Sequence, residues 1–236
     1  MNGELQSRLA DIRGRIESAC RRVGRDPAGV RLLPVTKTFP PETVTEAAAL
    51  GLTAFGENRV QEARQKIPLC PGHLTWHLIG HLQTNKAREA VRLFDMIHAV
   101  DSWRLLEVLE RMSDEEGRRL TVCLEVNVSG ERSKFGLAPE TVPDLLARAG
   151  GLSRVQVVGV MTIPPIAAEP EEARPFFRRL RELRDRWQAD TGLALPELSM
   201  GMSHDFEMAV EEGATWVRVG TLLFGKRPKL EVHDPV

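Results

Sequence analysis

The segment RLLPVTKTFP, residues 31–40, decides how the rest of the chain is read. Its first half is an apolar run of strand character, and a single lysine, Lys37, follows before the segment closes on Pro40 and Pro41. A lysine that ends a buried strand is uninformative on a solvated loop. At the mouth of a barrel it is a chemical group held in place.

Working outward from that segment, strands and helices alternate along the chain. The strands are VRLLPVTK, TAFGEN, WHLIG, MIHAVDS, LTVCLEVNVS, VQVVGVMTIP, ELSMGMS and ATWVRVGTLLFG. Amphipathic helical segments separate them: PETVTEAAALG, VQEARQKI, NKAREAVRLF, SWRLLEVLERMSDEEG, TVPDLLARAG, ARPFFRRLRELRDRWQADTG and DFEMAVEEG. Gly51, Gly117, Gly150, Gly192 and Gly213 stand at the predicted helix C-termini. This order predicts an α/β fold with a parallel sheet, and eight is the strand number that closes a (β/α)8 TIM-type barrel. A doubly wound open sheet is the alternative. The last strand is read through Gly225 with no helix after it. Residues 1–25 form an extra N-terminal helix, whose apolar face is Leu5, Leu9, Ile12, Ile16, Ala19 and Val23, placed to cover that gap. Residues 226–236 read as a short charged tail, and no Gly-, Ser- or Pro-rich linker divides the chain, so one domain is expected over 1–236.

Bulk properties narrow the function. The chain has 236 residues, 42% of them hydrophobic, and a formal charge of -1. Near-zero charge argues against a nucleic-acid surface, which requires a basic excess. Cys20, Cys70 and Cys123 are scattered and odd in number, which points to reduced thiols and a cytoplasmic protein. The N-terminal segment lacks the continuous apolar core of a signal peptide, and no segment approaches the ~20 apolar residues of a membrane span. His77 and His81 are four apart but straddle Gly80 at a strand end, so no metal site is expected. GTLLFGKR imitates a P-loop, but Arg227 stands where Ser or Thr must hold magnesium.

In a barrel of this kind the site forms at the C-terminal strand ends. Read off the sequence, those ends are Lys37, Asn58, Gly80–His81, Asp101–Ser102, Asn127–Ser129, Met161, Ser203, and Arg218 with Gly220 and Thr221. This ring contains no facing pair of carboxylates, which excludes glycosidase chemistry. A lysine in a partly desolvated mouth beside Arg218 is expected to titrate low, and neutral amine attacks aldehydes. Ser203, Gly220 and Thr221 lie in the loops after strands 7 and 8, the usual phosphate seat of such barrels. A lysine facing a phosphate seat suggests pyridoxal phosphate (PLP), with Arg218, two residues before Gly220 and on the same side of its strand, toward the pyridine nitrogen.

Six ordered stretches, VTKTFP, FGENRVQEA, WHLIGHLQTNK, LEVNVSGERSKFGL, GVMTIP and LSMGMSHDFEMAVEEGATWVRVGTLLFG, resemble the pyridoxal phosphate homeostasis family over nearly the whole chain. The resemblance implies a barrel similar to the N-terminal domain of alanine racemase, with Lys37 as the Schiff-base lysine. It also implies Ser203, Gly220 and Thr221 on the phosphate, Arg218 at the ring nitrogen and Asn58 near the ring. His204 is the local departure, since acidic or small residues are commoner there.

Two activities are compatible with such a site. One is a monomeric PLP carrier or buffer in PLP homeostasis, with apo-enzymes as recipients. The other is an amino-acid racemase-like enzyme. The chain has no tyrosine, the usual second acid–base group of a racemase of related fold, and an arginine at the ring nitrogen leaves the pyridine a weak electron sink. The carrier is the expected reading.

Overall fold

The structure is a computed structural model that describes residues 2–131, 134–165 and 168–226. Eight parallel strands make one sheet: β1 (Arg31–Pro34), β2 (Ala54–Glu57), β3 (Thr75–Leu78), β4 (Met96–Val100), β5 (Leu120–Glu125), β6 (Val155–Met161), β7 (Glu197–Met202) and β8 (Trp216–Val219). The ladder runs β1-β8-β7-β6-β5-β4-β3-β2. The first strand pairs with the last, setting Leu33 opposite Arg218. The seam between β1 and β2 closes just past β1, where Val35 bridges Gly56 and the Thr36 N–H donates to the Gly56 carbonyl at 3.0 Å. This is the barrel, not the open sheet.

The helices that follow the strands are α2 (Pro41–Ala49), α3 (Val60–Lys66), α4 (Ala87–Leu93), α5 (Trp103–Glu115), α6 (Val142–Ala149), α7 (Arg174–Thr191) and α8 (Phe206–Glu211). Their buried faces, with Val44, Ala63, Val91, Leu106, Leu146, Phe177 and Phe206 among the covered side chains, join the outer faces of the strands in one apolar layer. Burial of that layer at ~25 cal/mol per Å² drives the fold. Gly192 ends α7 at φ 71°, a conformation in which a Cβ would be strained. Gly150 also ends its helix but stays right-handed at φ -59°.

The chain end departs from expectation. Residues 214–225 are not one strand: β8 stops at Val219, and Thr221–Phe224 turn into a short helix, α9. The β1–β8 ladder runs out because β1 swings away after Pro34 to meet β2. With no partner strand, Leu223 and Phe224 donate their N–H groups back to Gly220 at 3.0 and 2.9 Å. Thr221 and the three apolar residues after it carry no period that separates strand from helix. Residues 227–236 of the expected tail lie outside the described residues.

The N-terminal helix, α1 (Asn2–Arg22), lies across α8 and α9 and so covers the end of the barrel chain. Leu5, Leu9, Ile12, Ile16 and Ala19 are buried beneath it. Val23, expected on the same face, falls just past the helix and is 45% exposed. Arg15 of α1 stacks over the Phe206 ring at 4.7 Å and donates from Nε to Glu207 at 2.8 Å, fixing α1 to the start of α8. Truncating Ile12 to Ala removes a fully buried side chain and is expected to cost about 2–5 kcal/mol in urea unfolding, whereas Arg13→Ala on the exposed face changes stability by no more than about 0.5 kcal/mol. Equal small losses would show that α1 rests on the barrel without being part of its core.

Candidate cofactor-binding site

Side chains alternate along a strand, so steps of two residues share the barrel interior. Leu33, Val35 and Lys37 follow one another in this way, as do Gly56 and Asn58, Ile79 and His81, and Trp216, Arg218 and Gly220. The upper members of these series meet in a cavity of about 580 Å³ at the C-terminal end of the barrel. Lys37, Asn58, Ser203, Arg218, Gly220 and Thr221 all line it, together with Gly80 and His81.

Lys37 is carried by a constrained turn. Thr38, next to it, has φ 68°, rare for a β-branched residue. The strain is held by a buried polar cluster. The Lys66 ammonium of α3 donates to the Thr36 carbonyl at 2.7 Å, to Glu57 at 2.7 Å and to Glu62 at 2.8 Å. Thr36 Oγ1 donates to Glu57 at 2.6 Å, and the Thr38 N–H donates to Glu62. The residues on both sides of Lys37 are therefore tied to one ammonium group. Burial pushes the Glu57 carboxyl above its ordinary value, against the pull of Lys66 and Thr36.

Across the cavity, the Ser203 hydroxyl receives the N–H of Gly220 at 3.3 Å and that of Leu222 at 3.4 Å. The β7–α8 turn and the β8–α9 turn thereby converge on one corner of hydrogen-bond donors, with Thr221 beside it. A Cβ at Gly220 would come within 3.2 Å of the Val35 carbonyl, a tight contact, so the segments after β1 and β8 lie close together here. Asp205, taken from sequence as the helix start, folds back: its Oδ1 accepts the Met202 N–H at 2.6 Å and closes the turn that presents Ser203.

Arg218 is 3% exposed and donates from one terminal nitrogen to Ser199 Oγ at 2.8 Å and from the other to the Thr162 carbonyl at 3.0 Å. Burial lowers its pKa to about 10, while Asp205 and Glu125 favour the charged form. Among the described residues it forms no ion pair with Glu125, the obvious structural partner for such an arginine.

Some expected ring members stand elsewhere. Asn127 ties its own loop, donating to the Glu131 carbonyl at 2.8 Å and accepting from Ser129 Oγ at 2.9 Å. Ser102 caps α5 through the Leu105 N–H. Met161 is packed inside the barrel with Met96, Ala99 and Cys123. Asp101 accepts from or pairs with His81 Nδ1 at 3.0 Å, and the His81 ring stacks on Phe135 with centroids 4.0 Å apart. The interior residue of β5 is instead Glu125, which lines the cavity and whose pKa is raised to about 7 by burial and then by Asp101, with Arg218 opposing. Its signal was present in LTVCLE, two residues after Cys123 on the same parity. Placing the strand end at Asn127 left it out of the mouth. Arg59, Phe135, Ile163 and Met202 also line the cavity and were not expected there, whereas His204 stands beside the Ser203 corner as the sequence placed it. Among the described residues no cluster of three or more His, Cys, Asp or Glu could hold a metal ion, and no helix is long and apolar enough to cross a membrane.

A barrel with its donors gathered at this end matches a known class. Residues 8–228 fit the family model described as alanine racemase, N-terminal domain. The chain is 47% identical over 221 residues to the pyridoxal phosphate homeostasis protein of Aquifex aeolicus (strain VF5), covering 93% of this chain and 97% of that one. PipY of Synechococcus elongatus PCC7942, solved both without and with PLP bound, is 42% identical over 94% of this chain and 100% of its own, with TM-scores of 0.85 and 0.83. The chain belongs to the pyridoxal phosphate homeostasis protein family. Alanine racemase of Clostridium difficile 630 shares the fold alone, at 13% identity and a TM-score of 0.76, over 96% of this chain and 57% of the racemase.

Two predictions rest on this geometry. Lys66→Met leaves Glu57 buried without its cation and is expected to cost about 3–5 kcal/mol in urea unfolding; adding Glu57→Gln, which removes the stranded charge, recovers part of the loss. Additive losses in the double variant would contradict the coupling. For Glu125, a folded pKa of about 7 against an ordinary 4.5 means the folded state holds the extra proton between those values, so stability falls as pH rises through that window. Glu125→Gln is expected to flatten that fall in melting temperatures measured from pH 5 to 8. An unchanged pH slope would show that Glu125 is ionised throughout.

Proposed function

We propose that the chain binds PLP in the cavity at the C-terminal end of the barrel, covalently through Lys37, and serves PLP homeostasis by storing, buffering or handing on the cofactor. The observation that carries this reading is the meeting, in one cavity, of a lysine on a constrained turn, a corner of hydroxyl and backbone N–H donors, and a buried arginine. The donor set fits the group. Ser203 and Thr221 offer hydroxyls to a phosphate at a corner where the Gly220 and Leu222 N–H groups, here given to Ser203 Oγ through long bonds, also gather and no carboxylate stands. Arg218 donates and does not accept, so it suits an unprotonated ring nitrogen. Asn58 supplies a neutral polar wall beside the ring. PLP, when bound, supplies an aldehyde carbon that condenses with a primary amine.

The chain's own residues do the rest. The Lys66 cluster holds the turn that aims Lys37, and the Ser203 corner and Arg218 orient a ligand between them. Homology in name and in the PLP-bound PipY structure supports the cofactor. The absence of tyrosine from the sequence and the arginine opposite the ring support a carrier without robust turnover, working as a cytoplasmic monomer-like unit that passes PLP to apo-enzymes.

One observation favours the racemase-like reading: Glu125, with its pKa near neutrality, is a carboxyl able to move a proton inside the cavity. The two readings separate in one experiment. Purified protein given PLP and then borohydride is expected to carry the cofactor mass on the peptide that contains Lys37, and Lys37→Ala abolishes it. The same loaded protein, incubated with L- or D-alanine in deuterated water, is expected to leave Cα unexchanged while losing PLP to an added apo-enzyme. Exchange at enzymatic rates, lost in both Lys37→Ala and Glu125→Gln, would establish the enzyme and overturn the carrier.

A further inference from the structure

Beneath the cavity the barrel interior combines apolar side chains with a set of polar groups that form a single file. Arg218 of β8 donates to Ser199 Oγ of β7 at 2.8 Å. Ser199 Oγ lies 2.7 Å from Nδ1 of His98 on β4, and His98 Nε2 lies 2.9 Å from Nδ1 of His77 on β3. Ser199 and His98 are fully buried and His77 nearly so. The far end rests on Trp216, whose ring sits 4.8 Å from that of His77 and carries the Arg31 guanidinium over it at 4.2 Å.

The direction of every hydrogen bond in this file follows from its first member. A guanidinium has donors and no acceptor, so Ser199 Oγ accepts from Arg218. Among the described residues the other partner of that hydroxyl is His98 Nδ1, so its one proton goes there and Nδ1 is the acceptor. His98 then carries its proton on Nε2 and donates to His77 Nδ1, which leaves His77 with its proton on Nε2 as well. The opposite tautomer would make Ser199 accept twice and leave a buried hydroxyl proton with no acceptor. Burial, reinforced by the charges of Arg218 and Arg31, holds His98 well below the ordinary histidine range, and burial with Arg31 lowers His77 to about 4, so both rings are neutral at pH 7.

We propose that Ser199, His98 and His77 are positioning residues: a one-way hydrogen-bond chain through the barrel that sets the rotamer of Arg218 and so the direction in which its remaining N–H groups face the cavity. Aligned donors polarise one another, so each link makes the next oxygen or nitrogen a better acceptor, and the hold on Arg218 depends on the whole file. The Thr162 carbonyl fixes the second terminal nitrogen, and the two anchors together prevent the guanidinium from turning about its stem. This inference rests on the proposed role of Arg218 toward PLP only for its consequence; the chain itself is a property of the cofactor-free protein.

The test has two arms. Long-range 1H–15N spectra of the cofactor-free protein at pH 7 are expected to show His98 and His77 neutral and protonated on Nε2. A charged ring, or His98 protonated on Nδ1, would overturn the chain whatever the ligand. In the second arm, Ser199→Ala and His98→Leu are expected to weaken PLP binding roughly tenfold and to shift the absorption maximum of the bound cofactor. His98→Asn, which keeps an acceptor near the position of Nδ1, is expected to restore most of both. Wild-type affinity and spectrum in folded Ser199→Ala would overturn the positioning role. Failure of the wild-type protein to take up PLP would overturn the reading of the site instead, and the tautomers, measured without ligand, would still decide the chain.

Discussion

Everything in this molecule depends on the closure of eight parallel strands, because closure makes the parity of a strand residue a choice between two environments. One parity meets the helices and is apolar almost without exception. The other faces an interior of mixed character, with apolar clusters around Leu33, Ile79 and Trp216 and around Met96, Cys123 and Met161, and with His77, His98, Ser199 and Arg218 across its middle. A slip of one residue in any strand would exchange the two sets. The β1–β8 ladder and the Val35–Gly56 bridge prevent that slip where it matters most, since both flank Lys37.

The interior charges are costly to bury, and the arrangement that tolerates them also limits how the site can move. Lys66 is compensated by two carboxylates and a carbonyl, and Arg218 by a hydroxyl and a carbonyl. Buried pairs of this kind add little net stability compared with well-packed apolar groups, but they permit few geometries. Arg218 in the cavity wall and Lys66 beneath the Lys37 turn are thus held by independent polar clusters, one through the barrel axis and one on the β1–α3 side.

The barrel was legible because its evidence is periodic. Short apolar runs separated by amphipathic helices identify parallel strands without any knowledge of pairing, and strand ends then locate the mouth. Lys37, Asn58, Ser203, Arg218, Gly220 and Thr221 could be named for that reason, and all line the one cavity. What could not be read were features decided by tertiary approach. In VQEARQKI the lysine looks like part of a solvated face, and only the arrival of Glu57 from the neighbouring strand makes Lys66 a buried clamp. TLLF has no period, so its turn into α9 depended on where the β1–β8 ladder ran out. Glu125 comes to the cavity wall because the chain leaves the barrel after Val126, where the Asn127 N–H turns to the Leu137 carbonyl at 2.9 Å.

The central claim is that one cavity, framed by Lys37, the Ser203 corner and Arg218, holds PLP. A crystal structure of the protein grown with PLP tests it most directly. The account predicts density continuous with Lys37 Nζ, the phosphate against Ser203, Gly220 and Thr221, and the ring nitrogen facing Arg218. PLP bound through another lysine, or seated away from that corner with Arg218 unengaged, would contradict it.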